Sequence, residues 1–330
     1  MLRIHIMNSV KGGSGKSTFS LYLANYLKTN DYNPVIIDLD VCGSTWFSNN
    51  ESYIQNAKNC IFLNDLFYNY EQKSKKEHIF KLNISNNGNP DVLKVIMADP
   101  KKLSSMKDET LDLLENTVIQ LVDELINPKY QTVHDKEKVT DIIFDMPPGY
   151  EKHSEQIIKH MIMDLESGLN QKFYSKKSFC RVNGMQVYKQ VDSPYLVYYY
   201  MLSNFNEAAY TANLQYLKNF FVYPNYSQNN NIMDKTLITF ILNDVTGISD
   251  FHVRSGNIKT TSQDILPTLL HNKNIQYPML KDCKVFINNH FHFGFEFQKL
   301  LYLFGGRKTP DHLEFGPETT QFDNIFNTII

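Results

Sequence analysis

The chain alternates between short, near-continuous apolar runs and longer stretches whose apolar residues recur every three or four positions. The apolar runs are RIHIMNSV (3–10), PVIIDLD (34–40), VLKVIMAD (92–99), TDIIFDMP (140–147), PYLVYYYML (194–202), LITFILND (237–244) and KVFINNHF (284–291). Runs of this length, rich in β-branched and aromatic residues, suit strands buried on both faces of a parallel sheet. The periodic stretches predict helices. Residues 17–28 put Phe19, Leu23 and Leu27 at helical spacing behind a glycine-rich turn, 111–126 carries an apolar stripe, and 206–221 gives a third helical segment. Strands alternating with helices predict an α/β fold: a doubly wound, mostly parallel β-sheet flanked by helices.

No internal repeat and no Pro- or Ser-rich linker interrupts the pattern, so residues 1–330 read as a single domain. The polar segment EQKSKKEH (71–78) and the turn NNGNP (86–90) read as a solvated connection leading into a hairpin. The stretch 167–192 is longer than a usual helix-to-strand connection and reads as an insertion. It carries Lys172, Lys176, Lys177 and Arg181, and an Asn-Gly turn at 183–184. From about 250 to 330 the pattern is partly irregular, mostly loop after Gly305, before the closing FDNIFNTII.

Composition narrows the class of function. Lys and Arg number 33 against 35 Asp and Glu, a net charge of −2, so the chain as a whole is not built as a polycation for nucleic acid. No apolar run reaches the roughly 18 residues needed to span a bilayer. MLRIHIMNSV is too short and too β-like for a signal peptide. Cys42, Cys60, Cys180 and Cys283 form no CxxC, which indicates neither a zinc site nor a disulfide framework. A cytoplasmic protein is expected.

The chemistry concentrates in KGGSGKST, residues 11–18. It departs from the phosphate-loop pattern G-x-x-x-x-G-K-[ST] in two ways: Val10 stands where the opening glycine belongs, and Lys11 precedes the glycines. Backbone N–H groups approach crowded phosphate charge only where side chains are absent, which Gly12, Gly13 and Gly15 provide. Lys16 is expected to reach the β- and γ-phosphates, and Ser17 to place its hydroxyl on Mg²⁺. The required context of strand, loop and helix is present in 3–28.

Two further motifs end strands in carboxylates. The run 34–40 closes on Asp38-Leu39-Asp40, and 140–147 leads into Asp145-Met146-Pro147-Pro148-Gly149. Alternation puts Asp38 and Asp40 on one face, at the carboxyl edge where α/β ligands sit. Phosphoryl transfer needs one carboxylate near the metal and another group to orient the attacking water.

KGGSGKS, DLDVCGS and FDMPPG, in that order, resemble the ParA/MinD family of ATPases, whose deviant loop is K-G-G-x-x-K-[ST]. VLKVIMADP resembles the strand between the family's two switch motifs, and LITFILND its late strand. The motifs span residue 2 to about 245. The resemblance, closest to ParA-like partition ATPases, implies ATP and Mg²⁺ as cofactors, with Lys11, Gly12, Gly13, Ser14, Gly15, Lys16, Ser17 and Thr18 around the nucleotide. Lys16 would bind phosphates in its own subunit, and Lys11 those of the partner in an ATP-sandwiched homodimer. Ser17, with Asp145 through water, would hold Mg²⁺, supported by Asp38; Asp40 would orient the hydrolytic water, and Asn243 would read the adenine edge. Val41-Cys42 depart from the family's usual proline and glutamine, and 167–192 is an addition.

What the resemblance implies is a Mg-ATP-dependent dimerising ATPase. It would hydrolyse ATP to ADP and phosphate as a switch in plasmid or chromosome partition or in intracellular positioning. A hydrolysis-stimulating protein is the expected partner and nonspecific DNA a further candidate, which would associate the chain with the nucleoid. The alternative is an ATP-switched scaffold or cargo-targeting ATPase for an envelope, secretion or conjugation apparatus, without DNA binding. A ligase-type relative that phosphorylates a small carboxylate is a third reading. The missing CxxC disfavours an iron–sulfur carrier, and LNDV lacks the Asn-Lys-x-Asp pattern that reads guanine.

The remaining constellations read as ordinary structure. Cys42 reads as a small buried filler, and Tyr198, Tyr199 and Tyr200 as a buried strand. His252, His290 and His292 are candidate metal ligands, and the last two share a strand face, but no carboxylate or cysteine stands at matching spacing, so a site is not expected. The basic cluster of the insertion is a candidate for DNA phosphates, as the resemblance to partition ATPases implies, but a solvated loop is favoured because the overall charge is not positive. Phe322, Ile325, Phe326, Ile329 and Ile330 share one helical face, but the tail has no Lys or Arg and includes Asp323. Membrane binding is therefore not expected, and the tail should dock on the protein's own surface or on a partner.

Overall fold

The computed structural model describes residues 2–40, 62–63, 79–86, 89–97, 117–118, 121–122, 125, 139–149, 154–155, 157–158, 179–182, 185–188, 195–204, 209, 212–213, 215–216, 236–243, 284–288, 313–315 and 326–327. In chain order these form β1 (Leu2–Asn8), α1 (Lys16–Thr29), β2 (Pro34–Asp38), β3 (Phe80–Asn86), β4 (Asn89–Ile96) and β5 (Asp141–Asp145). There follow β6 (Phe179–Val182), β7 (Met185–Tyr188), β8 (Tyr195–Asn204), β9 (Thr236–Asn243), β10 (Lys284–Asn288) and β11 (Leu313–Phe315). Nine strands make one sheet in the order β10-β9-β8-β1-β5-β2-β4-β3-β11. Every pairing in it is parallel except the β3–β4 hairpin. The chain is thus an α/β protein with a mostly parallel sheet.

Burial explains why the apolar runs were legible. All five residues of β2 and all five of β5 are buried, as continuous apolar strands inside a parallel sheet must be. The predicted α1 stripe of Phe19, Leu23 and Leu27 is wholly buried and joins Met7, Ile36, Ile143 and Tyr200 in one core cluster. Each such side chain contributes roughly 1.5–3 kcal/mol on leaving water. The predicted second helix keeps its stripe: Val118, Leu121 and Val122 are fully buried helical residues and Leu125 is nearly so.

Tyr199 and Tyr200 have no exposed surface and Tyr198 almost none, so the tyrosine run is a buried strand. Alternation sends Tyr198 and Tyr200 to the face of His5, which stacks on them at centroid distances of 4.9 and 5.9 Å. Tyr199 accepts a 2.7 Å hydrogen bond from the Asn8 side-chain amide instead. His5 itself is wholly buried in a polar knot at the amino end of the sheet. Its Nε2 lies 2.9 Å from Asp141 Oδ1 and its Nδ1 3.0 Å from the Tyr200 hydroxyl. A carboxylate only accepts, so Nε2 carries the proton and Nδ1 accepts from Tyr200. Arg3 donates to both Asp141 oxygens at 2.6 and 2.9 Å, and the Thr140 hydroxyl donates at 2.7 Å.

Several boundaries differ from expectation, each with a physical cause. β1 stops at Asn8 because the Ser9 hydroxyl turns back to donate to the Lys11 carbonyl at 3.0 Å. β2 stops at Asp38, since the N–H groups of Leu39 and Asp40 turn to the Asp145 carbonyl at 2.9 and 3.2 Å. Alternation therefore does not extend to Asp40. The tail beyond Gly305, expected to be mostly loop, contributes Leu313–Phe315 as the edge strand β11 against β3. Within the insertion, β6 and β7 form an antiparallel pair in a separate two-stranded sheet, and the Asn183-Gly184 pair between them lies outside the described residues. Lys172, Lys176 and Lys177, Cys42, His252, His290 and His292 lie outside the described residues. No described helix is long and apolar enough to cross a membrane.

Of the closing segment only Phe326 and Asn327 are described, and both meet α1; Phe322, Asp323, Ile325, Ile329 and Ile330 lie outside the described residues. Phe326 is fully buried and packs its ring 5.3 Å from Phe19 and 5.0 Å from Tyr26, both on α1. The Tyr26 hydroxyl donates to the Asn327 side chain.

Candidate functional site

Three chain segments converge at the carboxyl edge of β1, β2 and β5. From β1 the chain runs through residues 9–15 into α1, whose N-cap Gly15 has φ 86° and ψ 19°. That left-handed conformation is cheap only for glycine, and Gly13 needs it too at φ 74°. The helix then opens on Lys16, one residue earlier than the spacing predicts, with the Phe19 N–H bonded to the Gly15 carbonyl at 2.9 Å. Its first turn holds no acidic residue, so its partial positive charge is not cancelled there.

Gly12 is informative for a different reason. A Cβ placed on it meets nothing within 4 Å, and its φ is not in the left-handed region. Neither packing among the described residues nor backbone geometry calls for glycine at this position. Close approach of a ligand to the backbone would call for it.

The carboxylates gather around this loop. Asp38 and Asp145 are register partners on adjacent parallel strands, and Met7 of β1 is the partner of Asp145 on its other side. Both aspartates are fully buried. Asp145 also ties the segments through its backbone: its carbonyl receives the N–H groups of Leu39 and Asp40. Met146 N–H donates to the Met7 carbonyl at 3.2 Å, and Gly149 N–H to the Ser9 carbonyl at 3.1 Å. One hydrogen-bonded frame thus carries the loop and both acidic motifs.

Lys16 is almost wholly buried, and its Nζ stands 3.8 Å from Asp40 Oδ2. Lys11, five residues earlier, is exposed. The two lysines of the loop are therefore in opposite environments. Ser17 is half-buried in the first helical turn, and Ser14 and Thr18 are buried. Asn243 is the last residue of β9, in register with Asn204 of β8 and Asn288 of β10. It sits two strands from β1 in the sheet order and is not brought to the loop with the others.

The donor set fits a hard divalent cation. Asp38 and Asp145 each have a polar or electrostatic partner, and among the described residues none donates a hydrogen bond to the buried Oδ1 of either. Carboxylate and hydroxyl oxygens are the ligands Mg²⁺ takes. Among the described residues no cluster of three or more His, Cys, Asp or Glu is arranged for a metal.

Sequence reasoning missed three side chains that build the loop's entrance. Asn8 accepts the Ser9 N–H at 2.8 Å, and Ser9 Oγ accepts the Lys11 N–H at 3.3 Å. Asn213, a buried helical residue, accepts the Val10 N–H at 2.8 Å. Its spacing was a usable signal: Asn213 follows Ala209 by four and precedes Tyr216 by three, and all three are buried. A polar residue on an apolar helix face has a partner to find.

Residues 2–52 match the model of the ParA family described as NUBPL iron-transfer P-loop NTPase. No curated protein matches the chain. Among solved structures, pNOB8 ParA bound to nonspecific DNA is similar at 13% identity and a TM-score of 0.48, covering 100% of this chain and 94% of that one. A plasmid partition protein from Borrelia burgdorferi is similar at 15% identity and a TM-score of 0.43, covering 92% and 98%. The Pyrococcus furiosus cell division ATPase MinD is similar at 15% identity and a TM-score of 0.39, covering 76% and 75%. The α/β assignment rests on the chain's own sheet and not on these distant likenesses. Over residues 2–52, where β1, the glycine-rich loop, α1 and β2 follow in turn, the chain is similar to the ParA family of P-loop NTPases.

Proposed function

We propose that the chain is a Mg-ATP-dependent ATPase whose nucleotide site is completed by a second copy, and that ATP occupancy switches it between monomer and homodimer. The observation that carries this reading is the contrast between the two loop lysines: Lys16 buried beside Asp40, Lys11 exposed. A buried ammonium at a helix N-terminus serves an anion held inside the same subunit. Lys11, exposed five residues earlier, in this reading serves an anion on another molecule.

In this reading the N–H groups of the glycine loop and the Lys16 ammonium hold the β- and γ-phosphates, and Lys11 reaches the nucleotide of the partner. Ser17, with Asp145 through water and Asp38 in support, would hold Mg²⁺, which would neutralise phosphate charge and polarise the phosphoryl oxygens. Asp40 accepts a hydrogen bond from the attacking water and orients it in line with the γ-phosphate. Ser14 and Thr18 complete the phosphate cradle, and Asn243 reads the adenine edge. Hydrolysis to ADP and phosphate removes the group that both lysines share and releases the dimer.

The switch serves positioning or segregation of a cargo, plasmid or chromosomal DNA, with a partner protein that stimulates hydrolysis and with nonspecific DNA as a surface. The expected location is the cytoplasm, on the nucleoid where DNA is bound. A scaffold that recruits an envelope, secretion or conjugation apparatus uses the same switch without DNA, and salt-titrated retention on nonspecific DNA in the presence of ATP separates the two. The test of the core reading is phosphate release from Mg-ATP. It should require Mg²⁺, and Lys16→Ala should abolish it; Mg-independent release, or a fully active Lys16→Ala chain, would overturn the reading.

A further inference from the structure

One buried polar side chain from outside the phosphate loop reaches its entrance. Asn213 has no exposed surface and lies in the helical stretch that follows β8, 203 residues from its partner in the chain. Its Oδ1 accepts the Val10 N–H at 2.8 Å while its Nδ2 donates to the Ala209 carbonyl at 3.0 Å. These two bonds define the orientation of the amide, because turning it over would set donor against donor and acceptor against acceptor.

Val10 is the residue that replaces the opening glycine, and Lys11 is next. The Lys11 peptide is held from its other side by Ser9, whose hydroxyl donates to the Lys11 carbonyl at 3.0 Å and accepts its N–H at 3.3 Å. The Val10 N–H is thereby committed to protein and not to an anion. Lys16 has separate anchors: it opens α1 and faces Asp40.

We infer that Asn213 is a positioning residue for Lys11. By holding the Val10 N–H it sets the direction in which the chain enters the loop, and hence the point from which Lys11 leaves the surface. It acts through the backbone and touches no nucleotide. This rests on the proposed role of Lys11 in turnover. Losing the bond to Val10 therefore slows the step that needs Lys11 and spares the binding that needs Lys16.

The test separates the two bonds of Asn213. In Asn213→Ser, a helical hydroxyl still bonds the carbonyl four residues back, at Ala209, but is too short to reach Val10. Asn213→Asp keeps an acceptor for the Val10 N–H and loses the donor to Ala209. Mg-ATP affinity of the serine variant should stay within about twofold of the parent chain. Its basal kcat should fall about 5- to 10-fold, the kinetic worth of one hydrogen bond, and the aspartate variant should lie closer to the parent. A serine variant with parental kcat, an aspartate variant no better than serine, or a parallel loss of affinity or folding would show Asn213 to be a structural prop and overturn the inference. Failure of the unsubstituted chain to bind Mg-ATP is a separate result, seen before any substitution, and overturns the parent reading and this inference with it.

Discussion

Lys16 Nζ and Asp40 Oδ2 stand 3.8 Å apart across the mouth of the glycine loop, with the lysine almost wholly buried and the aspartate partly so. The carboxylate supplies the negative charge next to which a buried ammonium is tolerable. An incoming phosphate competes for the same ammonium. Asp40→Ala should therefore tighten Mg-ATP binding, by roughly 3- to 10-fold for one partly exposed ion pair. If Asp40 also orients the water, the same variant should lose turnover and accumulate as an ATP-bound dimer. Equilibrium binding and phosphate release on one preparation check both; weaker binding or undiminished turnover would remove Asp40 from these roles.

Gly12→Ala isolates the approach of a ligand from the needs of the fold. Among the described residues the added methyl meets nothing within 4 Å and the backbone is not left-handed, so folding should be unaffected or improved by about 0.4–1 kcal/mol. Mg-ATP affinity should nevertheless fall by about tenfold or more, since the methyl stands where the phosphates approach the backbone. Urea unfolding and nucleotide titration measure the two effects, and unchanged affinity would count against phosphate at Gly12.

How much of this was legible in the sequence depends on how local the cause was. β2 and β5 were read almost to their ends because continuous burial leaves a continuous apolar run. The loop was read because glycines and two lysines within eight residues have few other uses. β11 was missed because Leu-Glu-Phe is too short to show a period, and its partner β3 lies more than two hundred residues upstream. His5 was read only as part of a strand, since its partners Asp141 and Tyr200 are joined to it by tertiary structure alone. Asp40 was placed by strand alternation, but the Asp145 carbonyl ends β2 two residues earlier and a bend brings it beside Lys16.

The buried His5–Asp141 pair predicts how stability depends on pH. Burial is the main influence on His5; it outweighs Asp141, whose charge Arg3 already offsets, and lowers the imidazole pKa so that the ring is neutral. Burial alone would raise Asp141, but hydrogen bonds from His5 and Arg3 prevail and bring it down to about 2. Both folded pKa values lie below the unfolded ones, so both groups lend stability that is present at higher pH and lost as pH falls. Tyr198 and Tyr200 also face His5, and burial raises both hydroxyls, so they stay neutral in this range. Stability should decline below about pH 6.5 by about 1.4 kcal/mol per pH unit from His5, with a second loss from about pH 4 towards 2 from Asp141. In His5→Asn the first decline should vanish while the second remains. Urea unfolding at about pH 5 and about pH 8 reads the difference, and an equal pH dependence in both chains would refute the assignment.

Phe326 should matter to stability as a core residue does. Its ring packs on Phe19 and Tyr26 with no exposed surface. Phe326→Ala should cost about 3–5 kcal/mol of unfolding free energy, the range for an aromatic removed from a core. A loss below about 1 kcal/mol by urea unfolding would mean that the segment does not contribute to the core.

The central claim is that two copies share the nucleotide through Lys11. Size-exclusion chromatography with light scattering, run with Mg²⁺ and a slowly hydrolysed ATP analogue, tests it most directly. The parent chain should move from the mass of one chain to that of two. Lys11→Ala should bind the analogue with nearly parental affinity, stay at the mass of one chain and show no turnover. A Lys11→Ala chain that dimerises and hydrolyses ATP normally would contradict the account.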